Sequence, residues 1–312
     1  MISNVISIIK KISIFDNFYF KNLANKLIKD KIKFIDIGAA GDLIPRWKKI
    51  ENKIYTIAFE PDKEAFRKLK KKRKDSKKIF NIALSDKKGN KKFYVCKDEE
   101  KSSFYKPNYE FLKSYPDHER YNIKKTIKFG VNKLDNIGNF NPDFIKIDTQ
   151  GSELEILKGS KKNLKNCLGL EIEVEFKEIY KDQKLFDEVF KFLNKNGFDF
   201  VDFSEKTYWS FNNSSKIGQN LIFANALFLK KNVFSRNILK KRVNKYLLIL
   251  LLYNKVNLVE NILNQMNDAQ KKNLKNIIFI FFVRSKFISA IKKMFNFLIK
   301  FLGVELSNNN IN

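Results

Sequence analysis

The sequence holds a single histidine, His118, in 312 residues. One imidazole excludes a histidine-rich metal site and argues against a serine–histidine–aspartate hydrolase. The two cysteines, Cys96 and Cys167, build no disulfide framework and stand in no CxxC or Cys/His spacing. A reducing compartment follows, and a cytoplasmic protein is expected. No spacing of carboxylates is diagnostic of a metal, and no metal site is predicted. Eleven glycines and five prolines are too few for a collagen-like or low-complexity chain. Long apolar runs are missing too. Tyr246–Tyr253 is the longest clean run and Ile277–Val283 is shorter. Both fall short of the roughly 20 residues that a membrane helix needs, so they read as faces of amphipathic or buried helices. The opening stretch MISNVISIIKKISIFDNFYF has lysines inside its apolar pattern and no small-residue cleavage site, so no targeting segment is expected.

Arginine is scarce as well. The net charge of +28 has the look of a nucleic-acid protein, yet only seven of the 62 basic residues are arginine. Readers of nucleic acid favour arginine for bidentate and stacked contacts. The lysines run with Asn, Ile and Phe along the whole chain, which points to a compositional bias and a solvated lysine surface. No specific nucleic-acid partner is predicted. Any attraction left over would draw an anionic partner such as a membrane surface or an acidic glycan.

What is present is enough apolar sequence, 44% against 31% charged, to build a packed core. Residues 1–30 read as an amphipathic helical lead-in. From about 31, short apolar runs alternate with lysine-rich stretches of helix length, the pattern of an α/β fold with a mostly parallel sheet. Strands are predicted at Lys33–Ile37, Ile54–Phe59, Ile79–Leu84, Asp143–Ile147, Leu168–Phe176, Phe198–Phe203 and Leu221–Leu229. A further strand is expected at Lys91–Cys96. Helices are predicted near 42–51, 62–73, 152–166 and 182–196. Residues 97–131 read as an insertion that covers or shapes a pocket. Ser204–Asn220 lacks a long helix, so the last two strands are expected to form a hairpin. After about 230 the strands stop, and 231–312 reads as a basic helical extension. A seven-stranded, mostly parallel sheet with helices on both faces and a terminal antiparallel hairpin is the Rossmann-like architecture of class I methyltransferases.

Three motifs fall where such sheets bind ligands, at the carboxyl ends of strands. In Phe34-Ile35-Asp36-Ile37-Gly38-Ala39-Ala40-Gly41-Asp42 a strand runs into two glycines separated only by alanines. Small residues let a backbone pass close to a ligand, although the loop is GxxG and not the GxGxxG of dinucleotide sites. The second strand ends in Glu60-Pro61-Asp62, where Glu60 is placed to accept hydrogen bonds from ribose hydroxyls and Asp62 to cap a helix. The fourth strand delivers Asp148 to the same edge, followed by Thr149-Gln150-Gly151 and a helix opening with Ser152 and Glu153. Asp148, Gln150 and Glu153 would converge there, with helix capping by Ser152 as the plain alternative. In Leu170–Glu175 the two-residue period puts Glu171, Glu173 and Glu175 on one face. Such buried acids are costly unless paired or at the mouth of a site.

The ordered set FIDIGAAGD, AFEPDKEAF, NIALSDKKGNKKFYV, SSFYKPN, DFIKIDTQGSELEILKG, GLEIEVEF and IYKDQKLFDEVFKFL resembles the FkbM-type methyltransferases over roughly residues 31–230. The resemblance implies a class I enzyme that uses S-adenosylmethionine, commonly to O-methylate a hydroxyl on a sugar, a polysaccharide precursor or a secondary metabolite. It assigns Asp36, Gly38, Ala39 and Gly41 to the methionine end of the cofactor and Glu60 to its ribose. It places Ala83, Leu84 and Ser85 near the adenine and Asp148 near the transferred methyl. Many members have Asn where this chain has Ala40, so one contact to the methionine moiety is missing or replaced.

A sulfonium methyl is already activated, so the protein must chiefly align an oxygen with it and accept a proton. Asp148 is the first candidate for that base or orienting group, and Glu153 and Glu173 follow. His118, in the insertion, is the alternative. The basic tail is expected to pack on the core, self-associate into a homo-oligomer or lie peripherally on a membrane. Two other readings stand beside a methyltransferase with a small-molecule or glycan acceptor. One is a dinucleotide-dependent oxidoreductase or epimerase. The other is a non-enzymatic basic protein that binds membrane or nucleic acid.

Overall fold

The structure, a computed structural model, describes residues 17–72, 77–211, 219–231, 242–268, 271–272 and 274. Residues 1–16 of the lead-in and the Ile277–Val283 run of the tail lie outside the described residues. Among the described residues ten strands form two sheets. They are β1 (Ile32–Ile37), β2 (Ile54–Phe59), β3 (Lys77–Phe80), β4 (Ala83–Leu84), β5 (Gly89–Cys96), β6 (Ile123–Asn132), β7 (Phe144–Ile147), β8 (Gly169–Glu175), β9 (Phe198–Trp209) and β10 (Asn220–Lys230). The longer helices are α1 (Lys63–Lys72), α2 (Glu153–Lys158), α3 (Phe186–Lys195), α4 (Val243–Leu252) and α5 (Val256–Asn264).

The main sheet has seven strands in the order β3-β2-β1-β7-β8-β10-β9. β3, β2, β1, β7 and β8 are parallel, and β10 runs antiparallel to both β8 and β9. The fold is thus the expected one, with the strand order reversing outward from β1 and β7 and a hairpin at the far edge. β1 is buried at five of its six positions and β8 at six of seven, as parallel strands covered on both faces should be. Phe34 and Phe144 pair in register and lie parallel, 6.0 Å apart. Trp47 packs on both, at 4.8 Å from each ring, and is fully buried. Burial of each phenylalanine contributes about 2–3 kcal/mol, so this aromatic stack helps fix the β1–β7 register.

Three local expectations are corrected. The predicted strand Ile79–Leu84 is two strands. β3 stops at Phe80, because the Asn81 side chain turns to donate to the carbonyls of Glu60 and Pro61 at 2.9 and 2.8 Å. Ala83 and Leu84 then join the three-stranded sheet β4-β6-β5. The predicted helix 152–166 breaks at Gly159 into α2 and a single turn, Lys161–Leu164. A Cβ on Gly159 would stand 2.1 Å from the carbonyl oxygen of Ser85, so this close crossing fixes the break. The predicted helix near 42–51 is one turn, Pro45–Lys48, followed by a 3-10 turn at Glu51–Lys53. The stretch 97–131 also holds most of a ten-residue strand, β6, which pairs with β5. Its alternating lysines hid it from a reading that looked for apolar runs.

The chain divides into two compact units, Asp30–Tyr246 and Met1–Lys29 with Leu247–Asn312. In the first, Arg242 and Lys245 both clamp Asp143 at the start of β7, Lys245 at 3.0 Å. In the second, residues 17–27 are helical and α5 buries Val259, Ile262 and Leu263. Every residue of the apolar run Tyr246–Tyr253 is buried. Among the described residues no helix is long and apolar enough to cross a membrane.

Candidate active site

The five parallel strands end at one edge of the sheet. Gly38 follows β1, Glu60 follows β2 and Asp148 follows β7. Backbone hydrogen bonds stitch these ends together. The amides of Gly38 and Ala39 donate to the Phe59 carbonyl at 3.1 and 3.3 Å, and the Asp148 amide donates to the Ile37 carbonyl at 3.1 Å. Gly38 is left-handed, with φ +76°, and a Cβ there would meet the Asp148 carbonyl oxygen at 1.9 Å. Only glycine fits. Gly41 is different, because a Cβ there would find no atom within 4 Å. Ala39 is buried with Ala58 and Leu69, whereas Ala40 is exposed. The first half of the loop is therefore buried or half-buried in the fold and the second half is exposed.

Glu60 is 5% exposed. One carboxylate oxygen accepts from the Asp62 amide at 2.8 Å, and the other takes no hydrogen bond from the described residues. Burial, aided by the charges of Asp62 and Asp36, pushes this carboxyl up to about 7. Asp62 caps α1 as expected, accepting from the amides of Glu64 and Ala65 at 2.9 and 2.8 Å.

Lys146 is the residue that the sequence reading missed. It lies mid-strand in β7, in register with Asp36 of β1 and Glu171 of β8. Its ammonium stands 3.1 Å from Asp148 Oδ2 and 4.0 Å from Asp36 Oδ1, on a side chain only 13% exposed. Burial alone would lower its pKa. Asp148 and Asp36 outweigh that and hold it above the ordinary lysine value. The signal was available: a lysine in the centre of a buried parallel strand requires an acid beside it, and Asp36 was already predicted on the neighbouring strand.

The turn after β7 runs through two left-handed residues, Gln150 at φ +57° and Gly151 at φ +102°. It aims Gln150 Nε2 at Glu173 Oε1, 2.6 Å away, and within 3.5 Å of Asp148 Oδ1. Asp148 and Glu173 are thus brought together through Gln150. Glu153 is turned elsewhere. Its Oε1 accepts from both the amide and the hydroxyl of Thr149 at 2.9 Å, and it is 2% exposed. The alternative reading, a side-chain cap from Ser152, is not made; its hydroxyl is buried without a partner among the described residues. Burial pushes Glu153 up to about 7, with Asp148 adding to the rise, and raises Glu173 and Glu175 well above the carboxylate range. Glu171, the third acid on that face, accepts from Arg46 at 3.3 Å and from Ser204 at 2.9 Å.

The inserted segment closes on this turn. Ser103 Oγ donates to the Gln150 carbonyl at 2.6 Å, and Tyr180 OH lies 3.0 Å from Gln150 Oε1 and 2.9 Å from the Lys101 carbonyl. Glu155 gathers the Tyr105 hydroxyl at 2.8 Å, the Ser85 hydroxyl at 3.0 Å and the Lys91 ammonium. Ser85 is fully buried in that cluster, and Ala83 and Leu84 are buried in the smaller sheet. The structure does not bring these three to the end of β3, where Asn81 stands instead. His118 sits apart with Tyr115, its Nδ1 3.2 Å from the Tyr115 carbonyl oxygen. Among the described residues no cluster of acids, cysteines and histidine could hold a metal ion.

The family model for the methyltransferase FkbM domain matches residues 36–200, more than half of the chain and the segment that carries Asp36, Gly38, Glu60, Asp148 and Glu173. A similar solved structure is the methyltransferase FkbM of Methylobacillus flagellatus KT. It is 15% identical, with a TM-score of 0.40, over 64% of this chain and 44% of that one. The chain therefore spans less than half of that relative's length. Another is the magnesium protoporphyrin IX methyltransferase of Synechocystis PCC 6803, solved with S-adenosylmethionine bound. It is 10% identical, with a TM-score of 0.37, over 70% of this chain and 79% of that one. No curated protein matches the sequence.

Proposed function

The chain belongs to the FkbM methyltransferase family, and from that premise we propose that it transfers a methyl group from S-adenosylmethionine to a hydroxyl of a sugar, a polysaccharide precursor or a secondary metabolite. The observation that carries this reading is the shared edge of β1, β2 and β7. It gathers an open loop at Gly41, a buried carboxylate at Glu60 with one oxygen uncommitted among the described residues, and Asp148 held by Lys146.

This donor set suits the cofactor. A ribose diol offers two hydroxyl donors, and Glu60 is a buried acceptor at the strand end where such sheets hold ribose. The open Cβ position at Gly41 leaves room for close backbone approach. When bound, S-adenosylmethionine would supply an activated methyl on a sulfonium.

The chain's own residues do the rest. Asp148 is one-third exposed and fixed by Lys146, so it meets an incoming hydroxyl, accepts its hydrogen bond and takes its proton. Lys146 keeps that carboxylate oriented. Gln150 ties Asp148 to Glu173 and sets the acceptor side of the edge. Glu153, committed to Thr149, positions the turn instead of serving as the base. The test is incubation with methyl-labelled S-adenosylmethionine and a panel of monosaccharides, nucleotide sugars and phenols, with the label located by mass spectrometry. An ether methyl is expected, with turnover in D148N lower by roughly 10²–10⁴-fold. Label on nitrogen or carbon, or turnover indifferent to D148N, would contradict the assignment.

A further inference from the structure

A cavity of about 810 Å³ opens beside the inserted segment, lined by residues 97–98, 113–120 and Phe211. It takes no part in the chemistry above. On one wall Phe211, 60% exposed, stacks on Tyr115 at 4.9 Å with the rings inclined by 19°. On another, the Arg120 guanidinium lies over the rings of Tyr121 and Trp209, at 5.3 and 5.2 Å. Its Nε is buried without a hydrogen-bond partner among the described residues. Asp117, on the rim, holds a left-handed backbone at φ +58°. Trp209 and Phe211 lie beyond the segment that the family model matches, and Tyr115, Arg120 and Tyr121 lie within it.

We propose that this cavity is a subsite for a neutral saccharide unit, the distal part of an extended acceptor whose reactive hydroxyl sits at Asp148. Charge favours this occupant. The lining carries Lys97, Lys113 and Arg120 against Asp98, Asp117 and Glu119, a local balance on a chain of net charge +28. Lys97 and Glu119 also stand 3.5 Å apart. A cavity of this kind does not concentrate anions. It does present donors and acceptors of both kinds around an exposed aromatic face, and that combination suits the hydroxyls and the apolar C–H face of a sugar ring.

Its place is also suitable. Behind Arg120, the buried Tyr121 meets Tyr180 at 6.0 Å between rings. Tyr180 reaches Gln150, and Gln150 reaches Glu173. Arg120 on the cavity wall is therefore linked to the carboxylates through two buried tyrosines. The inference rests on the methyltransferase reading only for the identity of the reactive end; the cavity's own ligand is tested separately.

The test is an array of immobilised neutral and acidic glycans probed with the full chain, followed by calorimetry of the strongest neutral hit against wild type, F211S and D117N. S-adenosylmethionine is titrated into each in parallel. Binding of a neutral glycan is expected, weakened at least tenfold in F211S and measurably in D117N, with S-adenosylmethionine affinity unchanged. A blank array, binding confined to acidic glycans, or glycan binding indifferent to both variants would overturn the proposal. Glycan binding that depends on Phe211 in a protein that binds no S-adenosylmethionine would uphold the subsite and remove the reading of the catalytic edge.

Discussion

The carbonyl oxygen of Asp148 stands 1.9 Å from the point that a Cβ on Gly38 would occupy. The first glycine of the loop and the candidate base are therefore one structural unit, and no side chain fits between them. Gly38→Ala is expected to destabilise the protein by about 1–2 kcal/mol through its left-handed backbone alone, with displacement of the Asp148 backbone added. Gly41→Ala is expected to leave stability within about 0.5 kcal/mol, because its Cβ meets nothing. It should instead weaken S-adenosylmethionine by about tenfold, near 1.4 kcal/mol. Urea unfolding and calorimetry of the two variants separate the roles.

Lys146 is a buried cation between two acids, and removing it takes a counter-ion from both. Lys146→Met is expected to cost about 3–5 kcal/mol, the usual penalty for breaking a buried pair. Adding Asp148→Asn should recover part of that loss, because the second change removes one of the two acids that lost their counter-ion. Urea midpoints of the single and double variants measure the coupling.

Stability should fall as pH rises from roughly 4.5 to 7. Glu60 and Glu153 each titrate near 7 in the folded chain, chiefly through burial, against an ordinary 4.5 unfolded. Within that window the native state holds protons that the unfolded state has lost, so raising pH favours unfolding, and the effect levels off above 7. Glu60→Gln should flatten the slope and raise stability at pH 8. Denaturant curves between pH 5 and 8 test the sign. Ligand hydroxyls that donate to Glu60 favour its ionised form, so S-adenosylmethionine affinity should climb across the same range.

Tyr180→Phe removes one hydroxyl that lies between Gln150 and the Lys101 carbonyl. A loss of about 1–2 kcal/mol is expected from the unmade buried hydrogen bond. Methyl transfer should fall while S-adenosylmethionine affinity stays unchanged, since the contact supports the acceptor side. Equal loss of both would contradict that division.

The parts of the fold that were legible in the sequence are those where one local rule governs. Ile54–Phe59 is an apolar strand broken only by Thr56, with a proline turn behind it, and the structure has the same bounds. The terminal hairpin followed from a connection without a long helix, and β9 and β10 pair antiparallel. What was hidden depends on contacts between distant segments. Nothing near Ile82 announces that the chain leaves one sheet for another; the cause is Asn81 reaching back to Glu60 and Pro61. Gly159 ends a helix because Ser85 crosses it. At the site, Glu60 and Asp148 were legible as acids at strand ends. The commitment of Glu153 to Thr149 and the pairing of Gln150 with Glu173 depend on side-chain directions set by a left-handed turn.

The central claim is that the edge formed by Gly38, Glu60 and Asp148 holds S-adenosylmethionine, and calorimetric titration tests it most directly. Wild-type protein should bind S-adenosylmethionine in the micromolar range, Glu60→Ala should bind it at least tenfold more weakly while unfolding cooperatively, and NAD should give no heat. Binding of NAD in place of S-adenosylmethionine, or S-adenosylmethionine affinity indifferent to Glu60→Ala, would contradict the account.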